Sequence, residues 1–287
     1  DGAAGAGASI SPSGTGYRLL EFGNPIESDD DASELSQIIL AGLTLTGADS
    51  QAPGGAMYGE NIDLTLFQSS ITGNSGVLAG GGALLRRSAV CLDSATISDN
   101  ELQTHALSAF TADGMFGLGG GMAIEGTLGN TKYGVASCAR RVAEGEVFGL
   151  SEAEAEALFP KYDDERDGSL VSGNSIVMPE GAEGATIVAA AGGGLAVLTL
   201  NADQDGAGAT QLYNVDVLNN SIQVSNVTSD AESRYTFVAG GGVFLGSTGD
   251  ASSVIFGSSI SGNQLISDVT SSDDDKYDPS LSTAFGG

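Results

Sequence analysis

The stretch Ile71-Thr72-Gly73-Asn74, followed by Gly80-Gly81-Gly82-Ala83-Leu84, decides how this chain is read. The same two steps return as Ile97-Ser98-Asp99-Asn100 with Gly119-Gly120-Gly121-Met122, and as Val171-Ser172-Gly173-Asn174 with Gly192-Gly193-Gly194-Leu195. Val217-Leu218-Asn219-Asn220, Gly240-Gly241-Gly242-Val243 and Ile260-Ser261-Gly262-Asn263 continue the alternation. An earlier pair, Leu45-Thr46-Gly47-Ala48 and Gly54-Gly55-Ala56-Met57, lacks the Asn. Two motifs in strict alternation are the mark of a repeat architecture.

Between the steps lie short apolar alternations such as Ile62-Asp63-Leu64-Thr65-Leu66. A period of two with β-branched residues predicts strands. One such unit cannot bury its own inner face, whereas stacked units share a continuous core. The 26 residues from Asn74 to Asn100 suit one three-sided coil, and the later separations of 74, 46 and 43 require insertions. The predicted fold is all-β: a right-handed parallel β-helix, a solenoid of about six coils over residues 38–287. Residues 1–37, rich in Gly and Ser and then acidic at Glu27–Asp31, are expected as a lead-in or cap.

Each conspicuous residue has a structural reason. Gly permits positive φ and a close approach of neighbouring coils at a repeated corner. Asn tolerates the left-handed region, and stacked amides bond one another. A net bond contributes roughly 0.5–1.5 kcal/mol, while an orphaned buried amide costs about 1–3 kcal/mol. Asn74, Asn100, Asn174, Asn220 and Asn263 are therefore expected as a structural turn ladder without a catalytic part.

The alternation of Gly-Gly-Ala-Ile-like and Phe-x-x-Asn-like tetrapeptides resembles the repeats of the chlamydial polymorphic outer membrane proteins. Gly54–Met57, Gly81–Leu84 and the five Asn steps carry the resemblance, which covers roughly residues 38–287. The chain departs from that pattern where Ile or Val replaces Phe, and in its long insertions. The resemblance implies a passenger-like fold and a cell-surface, adhesive or structural role. It supplies no active site.

Thirty-seven acidic against ten basic residues give a net charge of −27. Such a field repels phosphate backbones and anionic headgroups, which argues against nucleic acid and membrane surfaces as partners. No apolar run reaches the length of a membrane-spanning helix. The start at Asp1-Gly2-Ala3-Ala4 reads as a trimmed end, and Phe285-Gly286-Gly287 stands where another Gly step would begin. Two sequons, at Asn219 and Asn226, point towards secretion and glycosylation. Cys91 and Cys138 follow successive Gly tracts, and equivalent positions on adjacent strands lie within disulfide reach. One bridge and two buried thiols are both open readings.

An insertion spans about 139–168, and Ser151 followed by Glu154 predicts a short helix at about 152–159, stopped by Pro160. It leads into Asp163-Asp164-Glu165-Arg166-Asp167-Gly168, half of a calcium loop, with Asp163, Glu165 and Asp167 as candidate ligands. A second acidic loop offers Asn201, Asp203 and Asp205. Calcium is the one candidate ion, and no cofactor is required. Against an enzyme stand the single histidine, His105, and the arginine pairs Arg86-Arg87 and Arg140-Arg141, neither beside a repeated acidic cluster in sequence.

The expectation is a secreted or cell-surface structural protein without enzymatic activity. Its coils would stack with copies of themselves or with other surface proteins into a filament, appendage or coat. An adhesin or glycan-binding module, with tyrosines 133, 162, 213 and 235 along one face, is the alternative; a polysaccharide-active enzyme is the third reading.

Overall fold

The structure is a computed structural model that describes residues 8–12, 14, 16–23, 35–104, 114–128, 168–178, 187–199, 210–224, 235–247, 253–267 and 282–285. These residues form twenty-six strands and no helix. The helix expected at 152–159 lies outside the described residues.

Every strand pairing is parallel, and the strands form five separate sheets. A seven-stranded sheet runs from Ala8–Ile10 through Leu43–Thr46, Ser70–Thr72, Thr96–Ser98, Ser169–Ser172 and Val215–Leu218 to Ile260–Ser261. A five-stranded sheet begins at Ser75–Val77 and ends at Gln264–Ser267. An eight-stranded sheet holds Leu20–Phe22, Ser36–Ala41, Met57–Glu60, Ile62–Phe67, Ala83–Asp93, Met122–Leu128, Leu195–Thr199 and Val243–Ser247. Four strands, from Gly114–Leu118 to Ser282–Phe285, make another sheet, and Thr210–Tyr213 pairs with Ser253–Phe256. Each strand thus pairs with its counterpart from a later pass of the chain. Two strands from the expected lead-in, Ala8–Ile10 and Leu20–Phe22, join the sheets in the same register.

The register explains why the apolar residues sit where they do. Ile71, Ile97, Val171 and Val217 are successive partners and are all fully buried. Leu102, Ile176 and Ile222 form a second such column. Full burial of side chains this size contributes about 1.5–3 kcal/mol each. Where a corner opens the ladder, a serine hydroxyl fills the gap. Ser69, Ser169 and Ser258 accept from the backbone N–H of Leu43, Ala95 and Val215 at 3.0–3.1 Å.

Candidate functional site

The Asn step and the Gly step meet inside the molecule. Asn74 Nδ2 donates to Asn100 Oδ1, Asn100 Nδ2 to Asn174 Oδ1 and Asn174 Nδ2 to Asn220 Oδ1, each at 2.9 Å, and Asn220 Nδ2 reaches Asn263 Oδ1 at 3.0 Å. The second Nδ2 hydrogen of each goes to a backbone carbonyl: Leu45, Ile71, Ile97, Val171 and Val217 at 2.9–3.0 Å. The oxygens also accept from the preceding backbone N–H, beginning with Ala48. The third glycine of four Gly steps, Gly82, Gly121, Gly194 and Gly242, lies against this column. A Cβ on Gly121 would stand 2.8 Å from Asn174 Cγ, and one on Gly194 would stand 2.9 Å from Asn220 Cγ. At four of the five steps the amide plane therefore faces a residue without a side chain, and at the first step the buried Ala56 holds that register position.

The other predicted positions fall differently. Asp163, Glu165, Asp167, Asn201, Asp203, Asp205, Cys138 and Asn226 lie outside the described residues. Among the described residues no three His, Cys, Asp or Glu side chains gather to hold a metal. Asn219 is exposed, in the left-handed region with φ 55°. Cys91 is buried in strand Ala83–Asp93 and is not free. Leu128 is the partner of Val90, ten residues before Cys138, so strand register alone does not set the two cysteines opposite each other. Tyr213 and Tyr235 belong to different sheets, and Tyr133 and Tyr162 lie outside the described residues.

The polar cluster that sequence reading missed is on the outer face of the eight-stranded sheet. Six residues on from the first glycine of successive Gly steps stand Glu60, Arg86, Glu125 and Leu198, and pairing makes them neighbours. A β-bulge sets Arg86 and Arg87 against the single residue Glu125, and Arg87 takes φ 49°. Such a bulge re-aims a side chain, so both guanidiniums find carboxylates: Arg86 Nε lies 3.1 Å from Glu125, and Arg87 NH2 lies 2.6 Å from Glu60. Tyr58 Oη donates to Glu60 at 2.9 Å, with the Arg18 guanidinium 4.9 Å from the Tyr58 ring centre. Burial, then the bond to Glu60, pushes the Tyr58 phenol up. The bond to Glu125 raises Arg86. The signal that finds this cluster is a count from each Gly step. Arg86-Arg87 lacks acidic neighbours in sequence, yet strands 27 and 39 residues away supply them.

Glu60 is 6% exposed, and the Arg87 guanidinium holds its carboxyl below the usual range, more than offsetting its burial. A depressed folded value gives stability that is complete above the unfolded pKa, about 4.3, and is lost as pH falls through the folded value. Glu60→Gln should therefore lower stability at pH 7 by about 2 kcal/mol, less than the 3–5 of a fully buried pair because Arg87 is one-third exposed. Urea melts between pH 3 and 7 check this. The variant should lose less stability than the parent over that range, and identical slopes would remove the pair from the acid response.

Beside the cluster runs an apolar groove of about 180 Å3. Its floor is Leu84, Ala123 and Ala196, successive partners on three parallel strands. Ala79 and Leu118, just before the Gly corners, form one wall, and Leu198 with the Arg86–Glu125 pair forms the other. The floor column continues to Tyr58 on one side and Phe244 on the other. Phe244 meets Phe237 edge-on across the corner, with ring centres 6.0 Å apart.

The last strands change the burial of the core. Leu212 is 1% exposed, and its partner Ile255 is 49% exposed. Val217 and Ile222 are fully buried, whereas their partners Ile260 and Leu265 are only partly so. Asn263 closes the amide column at the last strand of the seven-stranded sheet and is only half-buried. Comparison with known proteins finds no matching family model, no matching curated protein and no matching solved structure.

Proposed function

We propose that this chain is a right-handed parallel β-helix serving as a structural building block at the cell surface or outside the cell, and that its C-terminal tier takes up further tiers from another copy. The observation that carries this reading is the uncovering of core columns at that tier, from Leu212 at 1% to Ile255 at 49%. Among the described residues the strands Ser253–Phe256, Ile260–Ser261 and Gln264–Ser267 end their sheets, and such parallel edges over exposed core are templates for strand addition. The function is one of shape and stacking, without catalysis, and the charge of −27 keeps single units soluble. The repeat's resemblance to surface passenger proteins, the exposed Asn219 as a glycan acceptor and a Cys91–Cys138 bridge belong to the same proposal.

Sedimentation velocity and negative-stain microscopy across a concentration series test it. The parent should grow into rods at high concentration and raised salt, where like-charge repulsion is screened. Ile255→Lys places a charge on the open end and should shift the population to single units. A parent that stays monomeric throughout overturns the proposal.

A further inference from the structure

We propose that the partner of the C-terminal tier is the first tier of a second copy, joined head to tail so that the sheets run on through the seam. The proposal rests on the stacking reading above and adds to it a direction and a register. Among the described residues the seven-stranded sheet opens on Ala8–Ile10 and closes on Ile260–Ser261. The main path of the eight-stranded sheet opens on Leu20–Phe22 and closes on Val243–Ser247. Three inward columns cross these two sheets from end to end. One runs from Ile10 to Ile260, one from Leu20 to Val243 and one from Phe22 to Leu245. Members between the ends, such as Leu45, Met57, Leu85 and Leu195, are 0–1% exposed. All six terminal residues pack against the core yet are only partly buried. Each column thus finishes in an uncovered apolar side chain at both ends, at one lateral position. Head-to-tail addition sets Ile260 on Ile10, Val243 on Leu20 and Leu245 on Phe22, at the strand spacing of about 4.8 Å. The seam then buries apolar surface as every step inside the sheets does. Large exposed apolar side chains gather at the same two ends. Leu35, just before the strand Ser36–Ala41, is 43% exposed, and Ile255 and Ile266 on the last strands are 49% and 48% exposed.

Direction follows from the order in which the chain visits its sheets. Ala83–Asp93, Thr96–Ser98, Glu101–Gln103 and Gly114–Leu118 belong to the eight-, seven-, five- and four-stranded sheets in turn, and Met122–Leu128 begins the same order again. A copy added head to tail keeps that order, so every sheet meets its own counterpart in parallel. A copy turned tail to tail reverses it. The sheets then cannot all meet their counterparts, and edges that do meet run antiparallel. A head-to-tail seam joins two different surfaces and leaves one of each free, so it extends into an open filament instead of closing as a dimer.

The test is sedimentation velocity of two end-blocked variants of the whole chain, alone and mixed in equal amounts at raised salt. Ile255→Lys puts a charge on the last tier and Ile10→Lys on the first, where a seam would have to bury it. Thermal melts confirm that both fold. Should Ile10→Lys not fold, Ser36→Lys takes its place, at an exposed position that heads the column of Ile62. Each variant alone should remain a single unit, because every head-to-tail seam it can form meets a lysine. The mixture should give a species of about twice that mass and nothing larger, through the one seam whose two faces are intact. Dimers of either variant alone would show a seam between like ends and overturn the proposal. A mixture that stays monomeric while the parent forms rods overturns it too. A parent that forms no rods removes the stacking reading itself, and this proposal with it.

Discussion

Asn174→Ala should lower stability by about 3–5 kcal/mol, far beyond the loss expected of a turn residue in solvent. The side chain makes four hydrogen bonds: it accepts from the backbone N–H and Nδ2 of Asn100 at 3.1 and 2.9 Å, and donates to Ile97 and Asn220 at 2.9 Å. Alanine leaves two buried donors of Asn100 without acceptors, and each such orphan costs about 1–3 kcal/mol. No water replaces them, because Asn100 and Asn174 are fully buried. Asn263→Ala removes comparable bonds at a half-buried site, where water substitutes, and should cost about 1 kcal/mol. Guanidinium unfolding of the two variants decides between them. Equal losses at the two positions would mean that burial of the column contributes nothing.

The second large effect is a coupling. Gly121→Ala should cost about 3 kcal/mol, because its Cβ would lie 2.8 Å from both Asn174 Cγ and the Gly194 carbonyl oxygen. Gly121 is not among the left-handed glycines, so the penalty is one of contact and not of backbone strain. In the Asn174→Ala background Cγ is gone and only the carbonyl contact remains. The double variant should then be about 1–2 kcal/mol more stable than the sum of the single changes, within the range found for touching residues. Additivity to within about 0.5 kcal/mol would separate the Gly step from the Asn step.

The strands and the amide column were legible because both leave a period in the sequence. Ile71, Ile97, Val171 and Val217 are spaced like Asn74, Asn100, Asn174 and Asn220, since every register position repeats with its tier. What was not legible has no period. Glu60, Arg86 and Glu125 occupy one register column with alternating charge, so the eye finds no repeated residue there, and the bulge at Arg87 adds a turn that composition does not encode. Ser69, Ser169 and Ser258 were likewise lost among ordinary serines, because apolar residues hold the alternate corners. The third glycine's duty towards the asparagine column shows only when two motifs distant in sequence are placed in contact.

The rungs of the column are equal in length, but the loops that join them are not. Rungs at 2.9 Å span 26 residues from Asn74 to Asn100, 74 from Asn100 to Asn174 and 46 from Asn174 to Asn220. Closing a loop of 74 residues rather than 26 carries an extra entropic penalty of about 0.9 kcal/mol, for the same bonded reward. The order of events during folding follows from that inequality. Residues 35–104, with the shortest returns, should therefore be where structure first takes hold, with later passes of the chain added onto that seed one longer search at a time.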